Sequence, residues 1–237
     1  MIGLGTLINT GAIIAGGIVG WLGGSLIKEE AQKSLTTACG VSTLFIGISG
    51  AMEGMLTVND GVISSGQSML IVLCLVLGTL IGELIGIEDR FESFGEWLKR
   101  KSGNSGDQGF VSAFVTASLV VCIGAMAIMG AINDGLYGDY SILAVKSVLD
   151  FIIVIVMTGT LGKGAAFSCV PIFLLEGGMT LLARVLQPIL TDLSMDYISM
   201  VGSILIFCVG LNLVWGKKVR VANMLPALVL AVIAAYL

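Results

Sequence analysis

Eight apolar runs, each of about 18 to 25 residues, constrain this chain more than any motif it contains. They lie at about 3–24, 35–54, 62–86, 110–132, 141–161, 164–186, 197–214 and 220–237. A hydrocarbon core ~30 Å thick is crossed by about 20 apolar helical residues. In lipid the backbone must satisfy its own hydrogen bonds, which leaves helices or closed barrels. Runs this long, without alternation, are helical. The expected fold is all-α, a polytopic transmembrane helical bundle of about eight (7–8) spans, forming one integral membrane domain over residues 1–237. Charged residues are only 12% of the chain and the mean hydropathy is +1.02, whereas soluble domains carry about 25% charge.

Ten of the 12 basic residues fall in odd-numbered connections, among them Lys28, Lys33, Arg90, Lys99–Lys101, Lys163, Lys217, Lys218 and Arg220. By the positive-inside rule these loops are cytoplasmic and both termini lie outside. Residues 1–24 lack the basic start of a cleaved signal peptide and read as the first span. Residues 87–109 are the one long polar insert. Ile87, Phe91, Phe94, Trp97 and Leu98 are spaced helically in it, so it reads as a cytoplasmic amphipathic helix on the inner membrane face followed by a linker. The bland alternative is a plain loop helix.

Charges inside apolar runs are costly and need a reason. Lys146 and Asp150 are spaced i, i+4 and share a helix face. Asp150 lies about 12 Å into its span and Glu176 about 18 Å into the next, at ~1.5 Å per residue. Lys146, nearer the end, could snorkel outward. Ser168 and Thr180 fall on the Glu176 face at i−8 and i+4. Pro171 and Gly177-Gly178 weaken or break the helix around Glu176. Asn9 lies inside the Gly-rich first span, where Gly16, Gly20 and Gly24 make consecutive GxxxG steps suited to close packing. The expected solute or ion path is therefore Asp150, Lys146, Glu176, Asn9, Ser168 and Thr180, with Glu53 and Asp134 as an acidic outer mouth. Two bland readings stand beside it: the Lys-Asp couple as a lock between helices, and residues 164–186 as a re-entrant segment.

Gly-Thr-Leu recurs at residues 5, 78 and 159. This suggests decayed internal repeats, one of them inverted, a plan common in secondary transporters; coincidence in a Gly- and Leu-rich chain is the alternative. There is no His, and the five cysteines sit singly in apolar runs. Zinc sites, disulfide frameworks and Ser-His chemistry are thereby excluded. No cofactor is expected. A net charge of -4 offers nucleic acid no basic surface. The partners expected are the lipid bilayer, a small solute or ion, and further copies of the chain in a homo-oligomer.

Several stretches together resemble one known family: Gly5-Thr-Leu-Ile-Asn9, Gly82-Glu-Leu-Ile-Gly-Ile-Glu-Asp-Arg90, Val115-Thr-Ala-Ser118, Gly124-Ala-Met-Ala-Ile128, Asp134-Gly135, Lys146-Ser-Val-Leu-Asp150, Gly210-Leu-Asn-Leu213, Lys218-Val-Arg-Val-Ala-Asn223 and Leu225-Pro-Ala227. Across nearly its whole length the chain resembles the uncharacterised bacterial multi-pass membrane proteins catalogued as domain of unknown function 554. The resemblance implies the bacterial inner membrane and a general expectation of transport, and assigns no functional residue. The leading expectation is a non-enzymatic secondary transporter or channel. The alternative is a non-transporting sensor or assembly component acting through residues 87–109.

Overall fold

The structure, a computed structural model, describes residues 2–24, 28–59 and 61–237. In chain order it runs α1 (Leu4–Gly24), α2 (Glu29–Met55), β1 (Leu56–Asn59), β2 (Val62–Ser65), α3 (Ser68–Ile85), α4 (Ile87–Lys101), α5 (Phe110–Cys122), α6 (Ala125–Tyr137), α7 (Ser141–Leu161), a 3₁₀ segment at Lys163–Ser168, α8 (Cys169–Leu181), α9 (Ala183–Leu186), α10 (Asp192–Trp215), a second 3₁₀ segment at Val221–Met224, and α11 (Pro226–Ala234). The all-α class holds, and every expected run contains helix.

Six stretches among the described residues are long and apolar enough to cross a membrane, and a seventh if α5 and α6 form one bent span. The count departs from eight for two physical reasons. Residues 110–132 are interrupted: the axes of α5 and α6 differ by 61°. Between them Gly124 takes φ +155°, far from the helical value of about −63°. Residues 220–237 hold only a short apolar helix, because Pro226 sits at its first turn, where a missing N–H is harmless. One boundary also moves. Residues 62–65 pair antiparallel with β1, Asn59 opposite Val62, and Gly61 has φ +77°. The Asp60-Gly61 dipeptide is a hairpin signal immediately before what reads as the start of an apolar run.

The chain forms two compact units, each assembled from separate stretches. The first comprises Met1–Cys39, Asp89–Cys122 and Met126–Pro188. Its spine is α1 against α7, two parallel helices in backbone contact. A Cβ on Gly16 would lie 2.7 Å from the Phe151 carbonyl oxygen, one on Gly20 2.4 Å from that of Ile155, and one on Gly24 2.8 Å from Gly159 Cα. The GxxxG steps are therefore a packing device. Ile13, Val121, Val154 and Ile172 fill the adjoining core. The Gly162-Lys163-Gly164 hinge needs both glycines: Gly162 has φ +115°, and a Cβ on Gly164 would sit 1.9 Å from the Phe110 carbonyl oxygen. Helix α4 is present as expected, but its apolar stripe meets protein. Leu98 is buried with Phe110 and Phe114, and Phe91 and Phe94 pack against them. Trp97, 48% exposed, stacks on Phe94 with ring centroids 5.8 Å apart.

The second unit comprises Gly40–Glu88, Ile123–Ala125 and Ile189–Leu237. Here α2 lies antiparallel to α10 along Gly40, Gly47 and Gly54, which face Val214, Phe207 and Met200. That seven-residue glycine spacing was a packing signal in the sequence, of the period that keeps a seam on one partner. Helix α3 packs on the second 3₁₀ segment and α11 through Gly82 and Gly78. Both units contain the order helix, positive-φ glycine (Gly162, Gly216), 3₁₀ segment, helix. The three Gly-Thr-Leu copies, by contrast, sit at unlike positions: the start of α1, the middle of α3 and the end of α7.

Candidate functional site

The buried polar centre of the first unit is built by α1, α7 and α8. The α1–α7 contact sets Asn9 beside Lys146 and Asp150, and the antiparallel α8 brings Glu176 to the same level. Asn9 and Glu176 are 0% exposed, Asp150 4% and Lys146 6%, so none of the four is solvated by bulk water. The Asn9 amide nitrogen donates to Asp150 Oδ2 at 3.0 Å and to Glu176 Oε1 at 2.8 Å. Lys146 Nζ pairs with Asp150 Oδ2, donates to the Val121 carbonyl at 2.8 Å, and stands 3.9 Å from Glu176 Oε1. Lys146 therefore does not snorkel outward. The carboxylates and the Val121 carbonyl hold it inside, and a buried ammonium without such partners would be costly.

One ammonium faces two carboxyl groups, so the fully ionised cluster carries a net −1. Two acceptor atoms in it, Asn9 Oδ1 and Glu176 Oε2, have no hydrogen-bond partner among the described residues. Elsewhere in the first unit Thr10, Ser118, Thr158 and Ser168 also have buried hydroxyls without one. A purely structural polar network satisfies its members, because each orphan in a low-dielectric interior is expensive. Among the described residues no group of three or more Cys, Asp or Glu side chains is arranged to hold a metal ion.

The other expected residues divide. Thr180 lies one helical turn beyond Glu176, where its hydroxyl donates to the Ala131 carbonyl at 3.1 Å and faces Thr6 Oγ1 at 3.4 Å. Ser168 makes no hydrogen bond to the cluster. It ends the 3₁₀ segment, and the change from three to 3.6 residues per turn invalidates helical face-counting across that point. The helix does not break at Gly177-Gly178 either, since α8 runs through them to Leu181. The break lies before it, at Gly162–Ser168, and puts Pro171 in the first turn of α8, where no helical N–H is lost.

The outer-mouth expectation does not hold for Asp134. It is 0% exposed and accepts from the Gly3 and Gly5 amides at 3.2 and 2.9 Å. It thus caps α1, whose amino-terminal N–H groups favour an anion. Glu53 belongs to the second unit, beside a cavity of about 310 Å³ that Asp196 and Tyr197 also line.

A second buried constellation escaped the sequence reading. Glu88 is 2% exposed. Its Oε1 pairs with Lys217 Nζ at 2.6 Å, its Oε2 accepts from the Ala222 amide at 3.3 Å, and its own amide donates to Asn223 Oδ1 at 2.7 Å. Arg220 bridges to Glu83 at 2.9 Å. Nothing local distinguishes Glu88 from Asp89, Glu92 or Glu96 on a polar helix face, so no sequence signal pointed to it. Glu88→Ala is expected to lower stability by about 1–3 kcal/mol, the cost of leaving buried donors unpaired, as a drop in the unfolding midpoint in detergent.

Comparison with known proteins places this architecture in a family. The family model described as "Protein of unknown function (DUF554)" matches residues 4–236. The chain is 32% identical over 226 residues to the uncharacterized membrane protein YdfK of Bacillus subtilis (strain 168), covering 95% of this chain and 93% of that one. It is 29% identical over 232 residues to the uncharacterized protein YqgA of Escherichia coli (strain K12), covering 96% and 94%. No solved structure matches.

Proposed function

The chain belongs to the DUF554 family of membrane proteins, and we propose that it is a secondary transporter or channel for a small solute or ion in the bacterial inner membrane. The observation that carries this reading is the incomplete satisfaction of the Asn9–Lys146–Asp150–Glu176 cluster: a buried centre of two carboxyl groups and one ammonium with unpaired acceptors. Such a centre is suited to receive a cation, a proton or a polar solute group. The cytoplasmic placement of the basic loops belongs to the same proposal. The alternative, a sensor or assembly component working through residues 87–109, has less support, because the apolar stripe of α4 is taken up by Phe110 and Phe114.

Two measurements test it. In a cysteine-free background, cysteines placed at 150 and 176 are expected to react with a membrane-impermeant thiol reagent from one side of sealed vesicles. Absence of labelling at both would make the cluster a dry lock. In proteoliposomes screened for currents and uptake over monovalent cations and small organic ions, Glu176→Gln and Asp150→Asn are expected to lose more than about tenfold of whichever flux the wild type shows, each tenfold being ~1.4 kcal/mol. Full flux in folded, monodisperse samples of both variants removes these residues from the path.

A further inference from the structure

We propose that the cleft between α1 and the first 3₁₀ segment binds one anionic phospholipid of the leaflet next to the basic loops. The cleft encloses about 440 Å³, within the ~300–1,000 Å³ range of small-molecule sites. Ile14, Ile18 and Trp21 of α1 form one wall and Phe167 the other, while Lys163 and Asn104 stand at one end. The two ends differ in chemistry. Ile14 and Ile18 are 46% and 51% exposed aliphatic side chains, a surface fit for an acyl chain. Lys163 Nζ rests over the Trp21 ring at 4.8 Å from its centroid, an aromatic and a cation at the depth where headgroups lie.

Charge complementarity selects the headgroup. Lys163 lines the cleft, and the run Lys99-Arg100-Lys101 ends α4 and leads in sequence directly into Ser102 and Asn104, which also line it. Polybasic segments at a membrane surface attract anionic lipid. No acid lines the cleft among the described residues; Asp107 lines a neighbouring cavity, which Lys163 also lines, and accepts from the Gly109 amide. A second copy of the chain is a poorer occupant, because a two-fold interface sets this basic cluster against itself.

Native mass spectrometry of the full chain, purified in detergent and mixed with equal dioleoyl-phosphatidylglycerol and dioleoyl-phosphatidylcholine, tests the proposal. The wild type is expected to retain the phosphatidylglycerol preferentially. Lys163→Gln is expected to reduce that preference roughly fivefold, the effect of one surface cation near lipid. Lys218→Gln removes an exposed lysine of the second unit and is expected to leave the preference intact. Ile18→Trp, which fills the apolar half, is expected to lower retention of both lipids. Equal retention of the two lipids by the wild type overturns the proposal, as does an equal effect of the two lysine substitutions. So does an Ile18→Trp variant that changes oligomeric state while keeping its lipid, since the cleft is then an interface between copies.

Discussion

Replacing Lys146 by Met destabilises the protein by about 3–5 kcal/mol, and replacing Asp150 by Asn in the same molecule recovers part of that loss. The first effect follows from removing the cation of a buried pair, which strands its anion. Here it strands two, because Asp150 and Glu176 then share only the Asn9 amide. The second follows because a buried ion pair replaced by neutral groups of similar volume is often no less stable than the original. The check is a double-substitution cycle read by reversible unfolding in detergent. A Lys146→Met variant within about 1 kcal/mol of wild type would show that the pair carries little, as exposed pairs do. A double variant no better than the single would mean that the site depends on charge in some other way. The cycle also separates stability from transport: a double variant that is stable yet without flux assigns the charges to function.

A comparable loss is expected from adding one methyl group at Gly82. Its Cβ would fall 1.8 Å from the Asn223 carbonyl oxygen, and that neighbour is backbone. Either α3 or the second 3₁₀ segment must shift, and the Asn223 side chain moves with it, off the Glu88 amide it accepts from. Overpacking of this kind costs typically ~1–3 kcal/mol and occasionally more. Gly82→Ala is placed at the upper end, about 3 kcal/mol. Gly178→Ala is the matched control. Nothing lies within 4 Å of its Cβ position in the middle of α8, so it is expected to stabilise by ~0.5–1 kcal/mol through the lower backbone entropy of Ala. Thermal unfolding of the two variants side by side decides. A neutral Gly82→Ala overturns the close α3 contact, and a destabilising Gly178→Ala restores the hinge expected from the glycine pair.

What the sequence made legible was set by the cost of being in lipid. Each apolar run contains helix, and the charges within the runs, Lys146, Asp150 and Glu176, meet one another because an unpartnered charge there is expensive. Asn9 joins them although it is far away in the chain, and only its position in an apolar run marked it. The failures have a common cause as well. Face-counting from Glu176 assumed one continuous helix, and the 3₁₀ turn at Lys163–Ser168 broke the period for Ser168. Asp134 read as a mouth residue because its use, the α1 amides, comes from residues 129 and 131 positions away. Glu88 looked like any residue on a polar face. Long-range pairing of this kind has no local spacing to betray it.

The glycine contacts of α1 also determine which parts of the first unit can move. Its backbone touches that of α7 at three successive turns, and Gly164 is seated on the Phe110 carbonyl. Sliding α1 along α7 drives main chain into main chain, so these two helices act as a fixed stator. Helix α8 carries Glu176 and contacts α1 more loosely: a Cβ on Gly177 would find only a Thr6 methyl, at 3.9 Å. Its far end is held by α6 instead, where a Cβ on Gly135 would sit 2.4 Å from the Thr180 carbonyl oxygen. Under the proposed transport function, a stroke that opens the buried charges to one side of the membrane and then the other would move α8 together with α6 against the α1–α7 pair, with Glu176 as the group it carries.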